Sequence, residues 1–203
     1  MRAFIFAMLT VCATSAVADR VDPPLPALYA VTGVAADDRL NVRAGPDVAS
    51  AAIGSMAPGV ARIEVVDLSL SGRWGLINTA ETAGWVAMRY LEPLFEDKTE
   101  LGLPVGLRCF GTEPFWNIGF GDGKSLTLST PEADTDHAIT MQAPDPANVN
   151  LAEGGFLFAW RQSRAIVTAR ILPGQCSDGM SDRQYGLHYV DDQGLRKGCC
   201  RLQ

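Results

Sequence analysis

Short segments in which apolar and polar residues alternate recur along most of this chain. In the clearest of them, Leu40 and Val42 fall on one face of an extended backbone, and Asn41 and Arg43 fall on the other. The segment is followed closely by Pro46, which ends a strand because proline lacks the amide donor that a sheet requires. The pattern therefore predicts a β-strand followed by a turn.

Similar segments are spread over residues 27–93, with Gly and Pro between them. Short strands at a spacing of about 8–12 residues are typical of a small β-barrel. A polar run with Gly and Pro follows at 94–104, and we interpret it as a linker. The strands predicted before this linker lie at 29–34, 40–43, 53–54, 61–68, 74–77, 84–87 and 90–91.

A second series of about eight short strands occupies residues 105–203. Turn-forming residues separate them, as in Gly121-Asp122-Gly123 and at 191–194. The pattern predicts a meander that is closed into a barrel or folded into a two-layer sheet. The predicted strands lie at 107–110, 116–120, 125–129, 138–142, 155–161, 165–171, 184–190 and 195–200.

Residues 27–93 resemble the bacterial SH3-like (SH3b) domain family. Three blocks carry the resemblance, at 40–46, at 72–77 and at 84–91, where Gly84-Trp85-Val86 is followed by Tyr90-Leu91. The resemblance implies a compact barrel that serves as a targeting or ligand-binding module, often for cell-wall peptides, and that is not itself catalytic. We therefore predict an all-β protein in which a small SH3-like barrel precedes the second β domain.

Aromatic side chains on an SH3-like barrel can form a surface for an extended peptide. We predict ligand contacts for Tyr29, Arg43, Trp74 and Tyr90. For Trp85 we favour burial in the core instead, because a small domain needs its large side chains for burial.

The first residues have the features of a cleaved signal peptide. Arg2 supplies a positive charge, an apolar run extends to Val11, and Ala18 completes a small-x-small cleavage site. We place the cleavage after residue 18, with a Pro-rich lead-in at 19–26, and therefore expect a periplasmic or secreted protein. A lipid anchor at Cys12 is the alternative, but the residues before it do not fit that motif.

Charge restricts the class of partner. The whole chain has a net charge of −6, and loss of Arg2 with the signal peptide makes it −7. An acidic chain repels a phosphate backbone, so we expect no nucleic-acid partner. No later stretch is long and apolar enough to be a transmembrane helix. We expect a cell-wall peptide or an envelope protein as the partner, and no cofactor.

Two stretches of the second domain carry polar groups that a catalyst would need. The first is a predicted turn at 111–114, after which Phe115 and Trp116 are expected to enter the core. Glu113 lies between aromatic residues and is a candidate buried acid, although such a residue more often holds its turn. Asp178, Ser181 and Asp182 are candidates for a nucleophile or a cation site. We favour a structural loop, because neither the Gly-x-Ser-x-Gly motif nor calcium-loop spacing is present.

The same two stretches resemble an uncharacterised family of exported bacterial proteins. The shared signature is Gly111-Thr112-Glu113-Pro114-Phe115-Trp116, then Cys176 and Asp178 before Met180-Ser181, then Gly198-Cys199. The resemblance implies a domain of the cell envelope and no specific activity.

Four of the five cysteines remain after the predicted cleavage, and an even number in an exported chain predicts disulfides. Bonding between Cys199 and Cys200 is excluded by geometry, which leaves two possible pairings. The family resemblance implies Cys176 with Cys199 and Cys109 with Cys200. A zinc site lacks the usual Cys-x-x-Cys spacing, so we predict no metal. A Cys–His hydrolase would need a free thiolate and is also disfavoured.

These observations together predict a binding or adaptor protein of the bacterial cell envelope and not an enzyme. One alternative is an envelope hydrolase that uses Glu113 or the loop at 178–182. The other is an inhibitor of a lytic enzyme, which rests on architecture alone.

Overall fold

The computed structural model describes residues 23–95, 98, 103–121, 125–131, 137–142, 155–162 and 164–202. The predicted signal peptide and the Gly121-Asp122-Gly123 turn lie wholly or partly outside these residues. The described chain is all-β, as predicted, and a short 3-10 turn at Met88–Tyr90 is the one helical segment in it. The strands of the N-terminal half are β1 (Ala27–Val31), β2 (Leu40–Arg43), β3 (Ala52–Met56), β4 (Ile63–Val65), β5 (Asp67–Leu68), β6 (Trp74–Thr79), β7 (Thr82–Ala87) and β8 (Leu91–Pro93).

The N-terminal strands form two sheets that share one hydrophobic core. One sheet has the order β4-β1-β8, and the other has the order β3-β2-β7-β6-β5. Leu40 and Val42 both point into this core, so the alternation in β2 has the predicted orientation. The core consists of Ala27, Tyr29, Val31, Leu40, Val42, Ile63, Val65, Ile77, Val86, Met88 and Leu91.

The C-terminal half forms a closed, antiparallel barrel. Its eight strands follow one another as a meander, and the last strand pairs with the first. This closure makes the two-layer alternative wrong and leaves no exposed edge among these strands. The strands are β9 (Arg108–Thr112), β10 (Phe115–Phe120), β11 (Ser125–Ser129), β12 (His137–Gln142), β13 (Phe156–Gln162), β14 (Ala165–Cys176), β15 (Tyr185–Asp191) and β16 (Lys197–Arg201).

The interior of the barrel is filled by side chains. Aromatic rings from three strands, β10, β13 and β15, meet there, with Phe158 placed 4.9 Å from Phe120 and 5.7 Å from Trp160 between ring centroids. An eight-stranded barrel is just wide enough for its inward side chains to pack against one another. Leu103, which the sequence placed in the linker, is also buried in this core.

Two signature glycines make room for a signature tryptophan. Trp116 on β10 lies directly opposite Gly111 on β9 and is almost fully buried. A methyl group on Gly111 would meet the indole nitrogen, and one on Gly198 would lie 2.9 Å from the indole ring and meet the Phe110 carbonyl. The ring of Trp116 also packs 4.7 Å from Tyr189. The spaced signature residues therefore build one end of the barrel.

The disulfides have the pairing that the family resemblance implied. Cys109 and Cys200 are directly opposite on β9 and β16 and are bonded inside the barrel. Cys199 points to the other side of β16 and is bonded to Cys176 in a small cluster with Tyr185. The first bond fastens the strand pair that closes the barrel, and the second fastens β16 to the end of β14.

The two halves contact each other through a clasp at residues 78–82 and 182–184. The amide of Asn78 donates to the Gln184 carbonyl at 2.8 Å and accepts from the Gln184 amide at 2.9 Å. Arg183 donates to the Ala80 carbonyl at 2.6 Å and pairs with Glu81 at 2.9 Å. A short parallel bridge between Thr82 and Asp182 adds backbone pairing. The clasp contains both backbone and side-chain hydrogen bonds, which gives it a defined register.

A second contact between the halves involves the last residues of the chain. Glu64 on β4 accepts a hydrogen bond from the Leu202 amide at 2.9 Å. Burial raises the pKa of Glu64 to about 7, although this hydrogen bond and the charge of Arg201 oppose the rise. The carboxyl group at this contact therefore titrates near neutral pH.

Candidate functional site

Three of the four predicted ligand residues lie on one cleft of the N-terminal half. Arg43, Trp74 and Tyr90 line a depression of about 410 Å³. The prediction for Tyr29 is wrong, because β1 directs this side chain into the core and its exposed fraction is 0%. Trp85 is half-buried and lies outside the core cluster, so its predicted core position is also wrong.

The elements that flank the cleft hold its side chains in place. Arg43, at the end of β2, donates to the Ser50 carbonyl at 2.7 Å, which fastens the turn that contains Pro46. Arg89 lies over the ring of Tyr90, with its guanidinium carbon 4.7 Å from the ring centroid. It also donates to the Tyr90 hydroxyl at 3.2 Å. The cation–π contact orders this wall of the cleft.

A second depression, of about 460 Å³, continues the first one across Trp74. The two share Val48, Trp74, Ala87 and Arg89, so together they form one groove beside Trp74, which is 9% exposed. The turn after β2 contributes Asp47 to the far part, where its carboxylate accepts from the Ala49 amide at 2.8 Å. Val48 is 67% exposed and gives the groove an apolar edge.

The groove is basic although the whole protein is acidic. Four arginines and two aspartates border it. The arginines are Arg39, Arg43, Arg73 and Arg89, and the aspartates are Asp38 and Asp47. The sequence analysis missed three of these arginines. Their positions beside the strands could have indicated them: Arg39 and Arg73 directly precede β2 and β6, and Arg89 lies just before β8.

The candidate catalytic loop of the C-terminal half is held by its own aspartate. Asp178 accepts from the amides of Met180 and Ser181 at 2.9 Å, from the Ser181 hydroxyl at 2.8 Å and from Tyr185 at 3.3 Å. Burial opposes the charged form, but these hydrogen bonds together outweigh it and lower the pKa of Asp178. Asp178 therefore holds its own loop together, in agreement with the interpretation of 178–182 as a structural loop.

Ser181 and Glu113 differ in their relation to Asp178. Ser181 donates its hydroxyl proton to the Asp178 carboxylate, which is a weak base because its pKa is lowered, and the same hydroxyl accepts from the Arg183 amide at 3.3 Å. Glu113 is exposed, so it is not the buried acid that was considered as the less favoured alternative. Glu113 and Asp178 border one depression of about 910 Å³.

Phe115 differs from its prediction in a similar way. The sequence analysis grouped it with Trp116 as a core residue, but it is 52% exposed. Because neighbouring residues of a strand point to opposite faces, burial of Trp116 places Phe115 on the outside. It therefore contributes an aromatic surface to the outer face of the barrel.

The cysteines of the described residues have no free thiol for catalysis or metal binding. Cys109, Cys176, Cys199 and Cys200 are all disulfide-bonded. A thiolate nucleophile or a zinc ligand requires a reduced thiol, so the cysteine alternatives for these four residues are wrong. His188 is exposed on the outside of β15.

Comparisons with protein-family models, with curated proteins and with solved structures give no match for this chain. Within the ranges that the structure describes, no helix has the length and apolar character needed to cross a membrane. The groove around Trp74 is the place where predicted ligand residues, exposed apolar surface and unequal charge coincide.

Proposed function

We propose that this protein is an exported adaptor of the bacterial cell envelope and that its N-terminal half binds peptide, above all peptidoglycan peptide. The observation that carries the proposal is the convergence of Arg43, Trp74 and Tyr90 on one groove. They are three of the four residues for which the SH3-like barrel predicts ligand contacts. The two disulfides are compatible with an oxidising compartment outside the cytoplasm.

The form of the groove supports an extended ligand. Two depressions in a row over Trp74 offer successive contacts along a strand-like peptide. The excess of arginine matches the free carboxylates of wall peptides, and charge complementarity of this kind favours encounter and orientation. The C-terminal barrel would then hold the module at a defined angle through the clasp.

Binding of the full chain to purified sacculi tests this proposal. We expect retention of the wild type, and a fall of about two- to fivefold for each of the single variants Arg73→Gln and Arg89→Gln, in the range for exposed charge pairs. Arg170→Gln, at an exposed position on β14, is the matched control and should bind as the wild type does. Retention that does not exceed an unrelated control protein, or equal retention of all variants, would refute the proposed site.

A further inference from the structure

A second basic cleft lies on the outside of the barrel, where the two signature stretches meet. It has a volume of about 480 Å³, and its lining includes Arg108, Phe110, Phe115, Tyr185 and Arg201. The Thr112 hydroxyl donates to the Asp178 carbonyl at 2.9 Å, which joins the two stretches directly. The peptide groove around Trp74 shares none of these residues.

Two arginines of this cleft occupy directly opposite positions on paired strands. Arg108 on β9 is directly opposite Arg201 on β16. The next pair along the strands is Cys109 and Cys200, whose disulfide fixes this register. Like charges directly opposite each other on paired strands are unfavourable. Neither guanidinium forms a salt bridge among the described residues, although Glu64 is near enough for the charge of Arg201 to act on its carboxyl group. An anion between them would relieve this repulsion.

The other charged groups that line the cleft already have partners. Arg183 is engaged by the Ala80 carbonyl and by Glu81 across the clasp. Asp178 directs its carboxylate to the amides and hydroxyls of its own loop and to Tyr185. Arg108 and Arg201 therefore remain as the positive groups available to a ligand.

The wall of the cleft is aromatic. Phe110 and Tyr185 meet edge to face with ring centroids 5.0 Å apart, and the Cys176–Cys199 disulfide packs beside them. Phe115 adds an exposed ring on the neighbouring strand, and Asn117 adds an amide. A ligand that fits this cleft has an anionic group and an apolar body, which is the usual combination of a small-molecule site.

We propose that this cleft binds a carboxylate-bearing ligand with an apolar body, in the class of N-acylated amino acids and peptide C-termini. Arg108 and Arg201 would hold the carboxylate, because the planar guanidinium donates two parallel hydrogen bonds that match its two oxygens. Phe110, Phe115 and Tyr185 would contact the apolar part. The proposal does not depend on the function assigned to the N-terminal groove.

Titration calorimetry with the full chain tests this site, with N-acetylphenylalanine as the probe. We expect saturable binding that is weakened about tenfold or more in N-acetylphenylalanine amide, which has no charge. Arg108→Gln and Arg201→Gln should each weaken binding of the acid about tenfold, and Arg170→Gln should leave it unchanged. Amide-resonance shifts of the wild type on adding the acid should be centred on Arg108, Asn117 and Arg201, and this measurement needs no variant.

Three results would overturn the proposal. These are no saturable binding of the acid, equal binding of the acid and its amide, or wild-type shifts that lie elsewhere on the protein. Tighter binding of phenyl phosphate than of the acid would overturn the assigned ligand class. Altered binding in the sacculus experiment has no bearing on this outcome, because Arg73 and Arg89 are not part of this cleft.

Discussion

The two halves of this protein use their distinctive residues in different ways. In the N-terminal half, the residues that resemble a known module are divided between two places: some, such as Leu40 and Val42, fill the core, and others, such as Arg43 and Tyr90, border a groove. In the C-terminal half, the signature residues mainly close the barrel, as Trp116, Gly198 and the cysteines do. The motif residues of the N-terminal half therefore contribute to both a core and a groove, whereas those of the C-terminal half mainly solve a packing problem.

Loss of the disulfide between β9 and β16 is the strongest test of this difference. The Cys109–Cys200 bond closes a loop with a sequence separation of 91, and the Cys176–Cys199 bond has a separation of 23. From loop-closure entropy we expect removal of the first pair to lower the free energy of unfolding by about 4–5 kcal/mol and removal of the second by about 3–4 kcal/mol.

Chemical denaturation of the double alanine variants measures both effects. Hydrogen exchange at the amides of β2 and β7 reports on the N-terminal half separately, and we expect protection there to persist when Cys109 and Cys200 are replaced. Equal losses for the two pairs would contradict the greater role of the bond between β9 and β16. Simultaneous loss of protection in both halves would show that the closure affects the whole protein and not the barrel alone.

Gly198→Ala tests the packing role with a single methyl group. The new methyl would meet the Phe110 carbonyl and lie 2.9 Å from the Trp116 ring, so we expect a loss of up to about 3 kcal/mol. Gly119→Ala is the matched control, because a methyl at this β10 position has no neighbour within 4 Å. It should change the free energy of unfolding by less than about 0.5 kcal/mol in the same urea titration. A Gly198 variant as stable as this control would contradict the packing role.

Much of the fold was predictable because alternation is a local property. All eight C-terminal strands were anticipated, and β2 was predicted with its observed bounds. The disulfide pairing needed the family resemblance as well, since geometry left two choices. Predictions were wrong where orientation depends on distant partners. Tyr29 is buried because its side chain faces the core that the two N-terminal sheets share. Phe115 is exposed because Trp116 occupies the inward position.

The candidate sites were less predictable than the strands for the same reason. Arg108 and Arg201 are neighbours only because the barrel closes between its first and last strands, 93 residues apart in number. The clasp residue Asn78 and its partner Gln184 are likewise distant along the chain. Contacts of this kind depend on topology, and alternation within single strands carries no information about them.

The contact between Glu64 and Leu202 provides a pH-dependent test of how the two halves are joined. The folded protein has a Glu64 pKa of about 7, against an ordinary value of 4.5. Between these two pH values the folded state keeps a proton that the unfolded state has lost. The free energy of unfolding therefore falls as the pH rises from about 4.5 to 7, by about 2 kcal/mol when partial exposure is allowed for.

Glu64→Gln isolates this effect, because glutamine keeps the oxygen that accepts from the Leu202 amide at 2.9 Å and removes the titration. Urea titrations at pH 5 and pH 8 should show that the variant loses less stability with rising pH than the wild type, by about 2 kcal/mol. Glu92→Gln, at an exposed position on β8, should retain the wild-type dependence. Identical slopes in the wild type and the Glu64 variant would mean that Glu64 is ionised and hydrated at neutral pH. The two halves would then be joined by the clasp at 78–82 and 182–184 without a buried carboxyl group between them.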